Sequence, residues 1–328
     1  MRQKPMALGA VVLVTGLAVA AWFSYRPLLA RHYVSQLEKV PAGEADACIN
    51  RVAKLGAAAV PRLAELLRDD APACTHAGQT LAIIVGAWPA GDPQASELAK
   101  RLTADFRSMS AGGRRAALGV VEPLLKHRAV CKELVHAGLK DGTAANRELA
   151  VVLAMRKEVG LASAVVPLMS DEVAEVRRAA MIAVGTSPEL VPDEDLLPWL
   201  HDPDPGVCEL CESTLLARGL RERDVRMGKL VTDSSFLTRL EVIGYLQHDD
   251  QVDRQVWLNR LSRDPVPAVR AAAARVGVEP EWKLSVDFLP RVKEMAQSDP
   301  DGTVRQIAAA LIQMQSRLRP EKLPESFR

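Results

Sequence analysis

Asp264 to Gly277 reads DPVPAVRAAAARVG, and copies of its frame recur on both sides. In each copy an acidic residue is followed by a β-branched or polar residue five positions later, Arg at six, and a small or apolar residue at nine. Asp171 leads to Val176, Arg177 and Ala180, Asp264 to Val269, Arg270 and Ala273, and Asp299 to Val304, Arg305 and Ala308. Two weaker copies run Asp233, Thr238, Arg239, Val242 and Asp141, Asn146, Arg147, Ala150. The copy at Asp202 keeps Val207 but has Cys208 in the Arg position and Cys211 in the small one. The leading acids stand 30, 31, 31, 31 and 35 residues apart, which is an internal repeat.

Each copy predicts the start of a helix. The Asp can cap free N–H groups and suits the positive end of the helix dipole. Pro203, Pro205, Pro265 and Pro300 fall where interior hydrogen bonds are not yet required. Apolar residues return at helical spacing, as in Val304, Ile307, Ala308, Leu311 and Ile312, and Gly185, Gly219 and Gly277 follow at the far ends. Ahead of each acid lies another apolar helix: Val165 to Met169, Leu196 to Leu200, Val225 to Val231, Val256 to Leu261 and Phe288 to Met295. A helix pair of about 31 residues cannot bury its apolar sides alone, so neighbours must stack, and the expected fold is an all-α solenoid.

These residues resemble HEAT repeats: an Asp at the turn, Val-Arg beyond it, an Ala-rich second helix, and Pro61, Pro167, Pro198 and Pro290 within first helices. Leu55 to Asp70, LGAAAVPRLAELLRDD, is similar to the variant in phycobilin-lyase-like HEAT proteins. The resemblance covers roughly residues 45 to 318 and implies an α/α superhelix of about eight pairs. It also implies a structural ladder joining adjacent repeats, made by Asp141, Arg147, Asp171, Arg177, Asp202, Asp233, Arg239, Asp264, Arg270, Asp299 and Arg305, with Cys208 breaking it.

Residues 1–25 read as an N-terminal transmembrane anchor or signal peptide, 26–44 as an amphipathic connector, 45–318 as the solenoid and 319–328 as a polar tail. Met6 to Phe23 is uncharged and long enough as a helix to approach bilayer thickness, with Arg2 and Lys4 before it and Trp22, Tyr25 and Arg26 at its end. Ala18-Val19-Ala20 offers the competing reading of a signal-peptidase site, giving a secreted or periplasmic protein. The favoured expectation is a single-pass membrane protein with its repeats on the exported side.

The chain has 42 Lys plus Arg against 41 Asp plus Glu, and only 4% aromatics, so no net field or stacking platform favours nucleic acid. No nucleotide-binding glycine loop, G-x-S-x-G or H-E-x-x-H occurs. Cys208 and Cys211 form a C-x-x-C that lacks the partners of a haem, zinc or thioredoxin site; Cys211 occupies a slot that needs a small buried residue. His127, Cys131 and His136 are too few for a metal site and are expected to be one buried thiol between solvated histidines. Cys48 and Cys74 could form a disulfide in an oxidising compartment.

The expected protein is therefore not an enzyme, needs no cofactor, and is a membrane-anchored or exported scaffold for unidentified protein partners. Its contact face would be the second helices, with Arg178, Glu209, Glu212 and Glu241 outward. Two alternatives stand beside it: a lyase-type or chaperone-like protein acting on a chromophore or modified protein, which would require a deep pocket with titratable residues, and a structural component of an envelope assembly.

Overall fold

The computed structural model describes residues 25–248, 252–278 and 288–318, and among them every regular element is helical. The chain divides into two compact units, Met1–Leu190 and Val191–Arg328. The division falls in TSPELVP, residues 186–192, whose two prolines interrupt helical hydrogen bonding.

In the first unit the helices are α1 (25–37), α2 (Asp46–Ala53), α3 (Val60–Leu66), α4 (Ala73–Gly86), α5 (Pro93–Asp105), α6 (Ala111–Gly119), α7 (Val121–Lys126), α8 (Lys132–Leu139), α9 (Ala144–Ala154) and α10 (Ala174–Val184). They lie in two layers. α4 packs on α6, α6 on α9 and α9 on α10, while α5, α8 and the 3₁₀ segment Ala162–Ser170 follow one another alongside. Pro167 explains why that segment winds as 3₁₀ where a first helix was expected, since proline removes an interior donor. Ala77, Leu81, Leu118, Ala150, Val151 and Ala180 are sealed between the layers.

In the second unit α11 (Asp193–Leu196) runs into the 3₁₀ turn Leu197–His201, followed by α12 (Pro205–Ala217), α13 (Glu222–Val231), α14 (Phe236–His248), α15 (Arg254–Leu261), α16 (Pro267–Val278), α17 (Leu289–Ser298) and α18 (Gly302–Leu318). α14 packs on α16 and α16 on α18, whereas α12 meets chiefly its own 3₁₀ turn and α13.

The expected membrane anchor is corrected. Among the described residues no helix is long and apolar enough to cross a membrane. The stretch Met6 to Phe23 lies outside the described residues. The next segment, expected as an amphipathic connector, is α1, and it is part of the first unit's core: Ala30, Val34 and Leu37 are buried, and the Leu37 carbonyl meets His76 Nδ1 at 3.4 Å. The exported single-pass topology, the membrane partner and the membrane-anchored scaffold built on that span are set aside with it.

The repeat acids take up a geometry more specific than helix capping. Asp141, Asp171, Asp202, Asp233, Asp264 and Asp299 each accept, through Oδ1, the N–H two residues on, at 2.7–2.9 Å. This side-chain turn leaves the carboxylate facing back toward the preceding pair. There it accepts two bonds from an Arg: Arg147 on Asp171 at 2.7 and 2.7 Å, Arg239 on Asp264 at 2.6 and 3.0 Å, and Arg270 on Asp299 at 2.9 and 2.7 Å. The same Arg donates its other Nη to the backbone carbonyl of its own copy's acid, as Arg270 does to Asp264 O at 2.8 Å and Arg305 to Asp299 O at 2.6 Å. Arg114, which the sequence frame passed over, supplies a further bond of this type to Asp141.

Cys208 keeps half of that role. Its thiol donates to Asp202 O at 3.1 Å, as an Arg would, but it is too short to reach further, so Asp233 makes its turn to Ser235 and has no Arg partner of this type among the described residues. Restoring the longer side chain with Cys208→Arg is expected to raise stability by about 1 kcal/mol, the scale of one incompletely buried charged hydrogen-bond pair. Urea unfolding would show a higher midpoint with an unchanged slope, and a lower midpoint would mean the slot cannot hold an Arg.

Candidate functional site

In the second unit a cavity of about 740 Å³ opens among residues of α11, α13 and α15 and the loops beside them. Leu197, Leu220, Val231, Val256, Trp257 and Leu261 supply its apolar wall, and Glu194, Asn259, Arg260 and Arg263 supply polar groups. These helices lie just ahead of Asp202, Asp233 and Asp264 in the chain. The second helices, on which Glu209, Glu212 and Glu241 do lie exposed, take no part in its lining. What draws α11 and α15 together is visible in one bond, from Arg260 Nη1 to the Glu194 carbonyl at 3.1 Å, which spans 66 residues of the chain. The pocket and the Cys208 interruption share the same part of the unit, where α12 and α14 lack an Arg–Asp link.

Most of the carboxylates around the pocket are already engaged. Asp193 accepts from Arg218 at 2.8 Å, Asp224 from Arg221 at 2.8 Å, and Asp264 from Arg239; Asp253 caps α15 through Gln255 N–H at 3.1 Å. Burial works to raise the Asp224 carboxyl, but the Arg221 side chain and backbone N–H outweigh it and hold the group below its ordinary range. Arg260 is in the opposite situation. Loss of water pulls its guanidinium below the usual value, and the nearby charges of Glu194 and Asp195 offset this only in part. Trp257 is 4% exposed, and its indole N–H has no acceptor among the described residues.

The thiols and histidines expected to be inert or solvated lie elsewhere. All five cysteines are free, so the Cys48–Cys74 disulfide is not formed; both thiols are buried, in α2 and α4. Burial, with Cys208 nearby, pushes the Cys211 thiol up to about 12, and its Sγ donates to Leu196 O at 3.2 Å. Cys131 is pushed up to about 11 by burial alone. His127, expected in solvent, is instead buried, with Val85 O at 2.8 Å from Nε2 and Pro89 O at 3.0 Å from Nδ1. Among the described residues no group of three or more His, Cys, Asp or Glu could hold a metal ion.

The pocket residues were not picked out by sequence reasoning, because QVWLNRLSR over 255–263 reads as an ordinary amphipathic helix. A Trp in a chain with so few aromatics, one helical turn before an Arg, was the available signal.

No protein-family model and no curated protein matches the chain. Among solved structures, the chain is similar to the crystal structure of an engineered protein at 16% identity, covering 89% of this chain and 87% of that one, with a TM-score of 0.34. A likeness that distant carries no argument about fold or function.

Proposed function

We propose that the chain is a HEAT-like helical-repeat protein that holds an apolar group in the pocket of its second unit, in the manner of a chaperone-like binding protein and without converting what it binds. The Asp-turn and Arg bonds repeated from pair to pair support the repeat assignment, with Asp171, Arg177, Asp264, Arg270, Asp299 and Arg305 as structural residues. The observation that carries the binding assignment is the cavity itself: about 740 Å³, mainly apolar, with titratable side chains at its wall. That size suits a small molecule or one bulky side group and is ample for specific burial. Among the described residues the lining has neither His, Cys nor Tyr, and four of its acids, Asp193, Asp224, Asp253 and Asp264, are committed to Arg partners or a helix cap, with Glu194 exposed, which favours a binding surface over a nucleophile or proton relay.

Nile red, a neutral apolar dye, tests this. Saturable binding of one dye per chain is expected, weakened at least tenfold by Val256→Glu, a substitution at a half-exposed lining position that leaves the core intact. Unsaturable binding, or binding indifferent to that substitution at an unchanged melting temperature, would refute the assignment.

A further inference from the structure

We infer that the ligand of this pocket is an apolar monocarboxylate, its hydrocarbon body lying against Leu197, Leu220, Val231 and Trp257 and its carboxylate accepting from Arg260 with the Trp257 indole N–H. This rests on the pocket being a binding site, and it adds the chemistry of what is bound.

The argument is one of unmet hydrogen bonding. Trp257 and Arg260 are three residues apart on α15, neighbours on one helix face, and both line the cavity. Trp257 as a whole is 4% exposed, and its indole N–H, which is not itself shut off from solvent, has no acceptor among the described residues. Arg260 has five N–H donors, of which one is used, on the Glu194 carbonyl, and it makes no ion pair within 4.0 Å among the described residues. Partial burial of that charge is costly, and the nearby carboxylates of Glu194 and Asp195, neither of which bonds to it, offset the cost only in part. A ligand carboxylate answers both shortages at once, since it accepts from a guanidinium in a bidentate fork and has lone pairs left for the indole. Arg263, whose Nη1 donates to Asn259 O at 3.1 Å, adds positive charge at the same wall.

The competing charge is Glu194, whose carboxylate is exposed and has no hydrogen-bond partner among the described residues; it would favour a cation. It is a solvated group, however, and an exposed charge contributes less than the half-buried guanidinium of Arg260. The acids Asp193, Asp224, Asp253 and Asp264 do not compete, being bound as described. The size of the cavity also fits an apolar body attached to the acid, because a bare anion would leave most of the wall dry and uncovered.

The test compares decanoate, decanol and decylammonium at pH 7.5 by calorimetry on the full chain. Decanoate is expected to bind at least tenfold tighter than either. Arg260→Gln should bring decanoate to the affinity of decanol while leaving decanol unchanged, and Trp257→Phe, which keeps the ring and removes the N–H, should weaken decanoate alone about threefold. If Arg260→Gln lowers the melting temperature through loss of the Glu194 contact, Trp257→Phe still reads the carboxylate. Equal binding of decanoate and decanol, or preference for decylammonium, overturns the carboxylate assignment and leaves the apolar pocket standing. Binding of none of the three overturns both.

Discussion

Asp299→Ala is expected to destabilise the second unit by about 3–5 kcal/mol, the cost of removing one member of a buried ion pair. Asp299 is where three bonds meet: Arg270 donates at 2.9 and 2.7 Å, and the Asp301 N–H at 2.9 Å. The Arg270 side chain is 8% exposed and that of Asp299 only 2%, so water cannot replace the lost acceptor. Arg270 would remain charged, fixed by its bond to Asp264 O, with two donors facing nothing. Most of the penalty comes from the orphaned cation, so the double variant Arg270→Met with Asp299→Ala should lose clearly less than Asp299→Ala alone. Urea unfolding monitored by circular dichroism measures both. A single variant that loses under 1 kcal/mol would show that the pair is not buried as described.

The same residues set an acid limit. The Arg270 hydrogen bonds hold the Asp299 carboxyl below its ordinary value against the pull of burial. At Asp141 and Asp171 burial is the largest influence and works upward, but the Arg114 or Arg147 bonds and a backbone N–H together outweigh it. A carboxyl whose folded pKa is depressed stabilises the fold above its unfolded pKa of about 3.9, and that contribution disappears as pH falls through the folded value. Stability should therefore be flat in these groups from pH 7 to about pH 5 and fall below about pH 4, with a shallower fall in Asp299→Ala.

How much of this was legible in the chain differs from feature to feature. The all-helical character and the recurring Asp, Arg and small residue were readable, because those three keep fixed distances along the chain. The direction of the Arg bond was not readable: Arg270 is six residues from Asp264 and 29 from Asp299, and only the folded pairs show that its fork serves the distant acid. Arg114 was missed because its copy lacks the leading Asp; Ser110 takes the capping place there, accepting from Gly113 N–H at 3.0 Å. The pocket was illegible for a related reason. It depends on Arg260 meeting a backbone carbonyl 66 residues earlier, and backbone carbonyls leave no trace in a sequence. The glycine pair Gly112-Gly113 carries a signal that points the wrong way. It looks like a break between helices, whereas both residues lie inside α6.

The place of that pair inside a helix points to the second large effect: Gly113→Ala is expected to cost at least about 3 kcal/mol, at or beyond the upper end of ordinary overpacking. In an unobstructed helix the same change would stabilise by up to about 1 kcal/mol, because glycine gives up more backbone freedom on folding. Here α6 lies directly on the carbonyl that ends α3. A Cβ at Gly113 would stand 1.7 Å from Leu67 O and 2.6 Å from its carbonyl carbon. Those are backbone atoms, and the carbonyl is also the acceptor for Ser110 N–H at 3.2 Å, so it cannot swing aside without releasing the start of α6. Gly112 meets side chains alone, the Cys74 sulfur at 2.8 Å and Ser110 Oγ at 4.0 Å from an added Cβ, and a side chain can yield where a backbone cannot. Gly119, at the other end of the same helix, has nothing within 4 Å of an added Cβ. The expected order of unfolding midpoints is therefore Gly119→Ala above the parent, Gly112→Ala below it, and Gly113→Ala lowest by a wide margin. If Gly113→Ala instead matched Gly119→Ala, α6 could not lie against α3 at this distance, and the layer built from α4 through α10 would have to be redrawn.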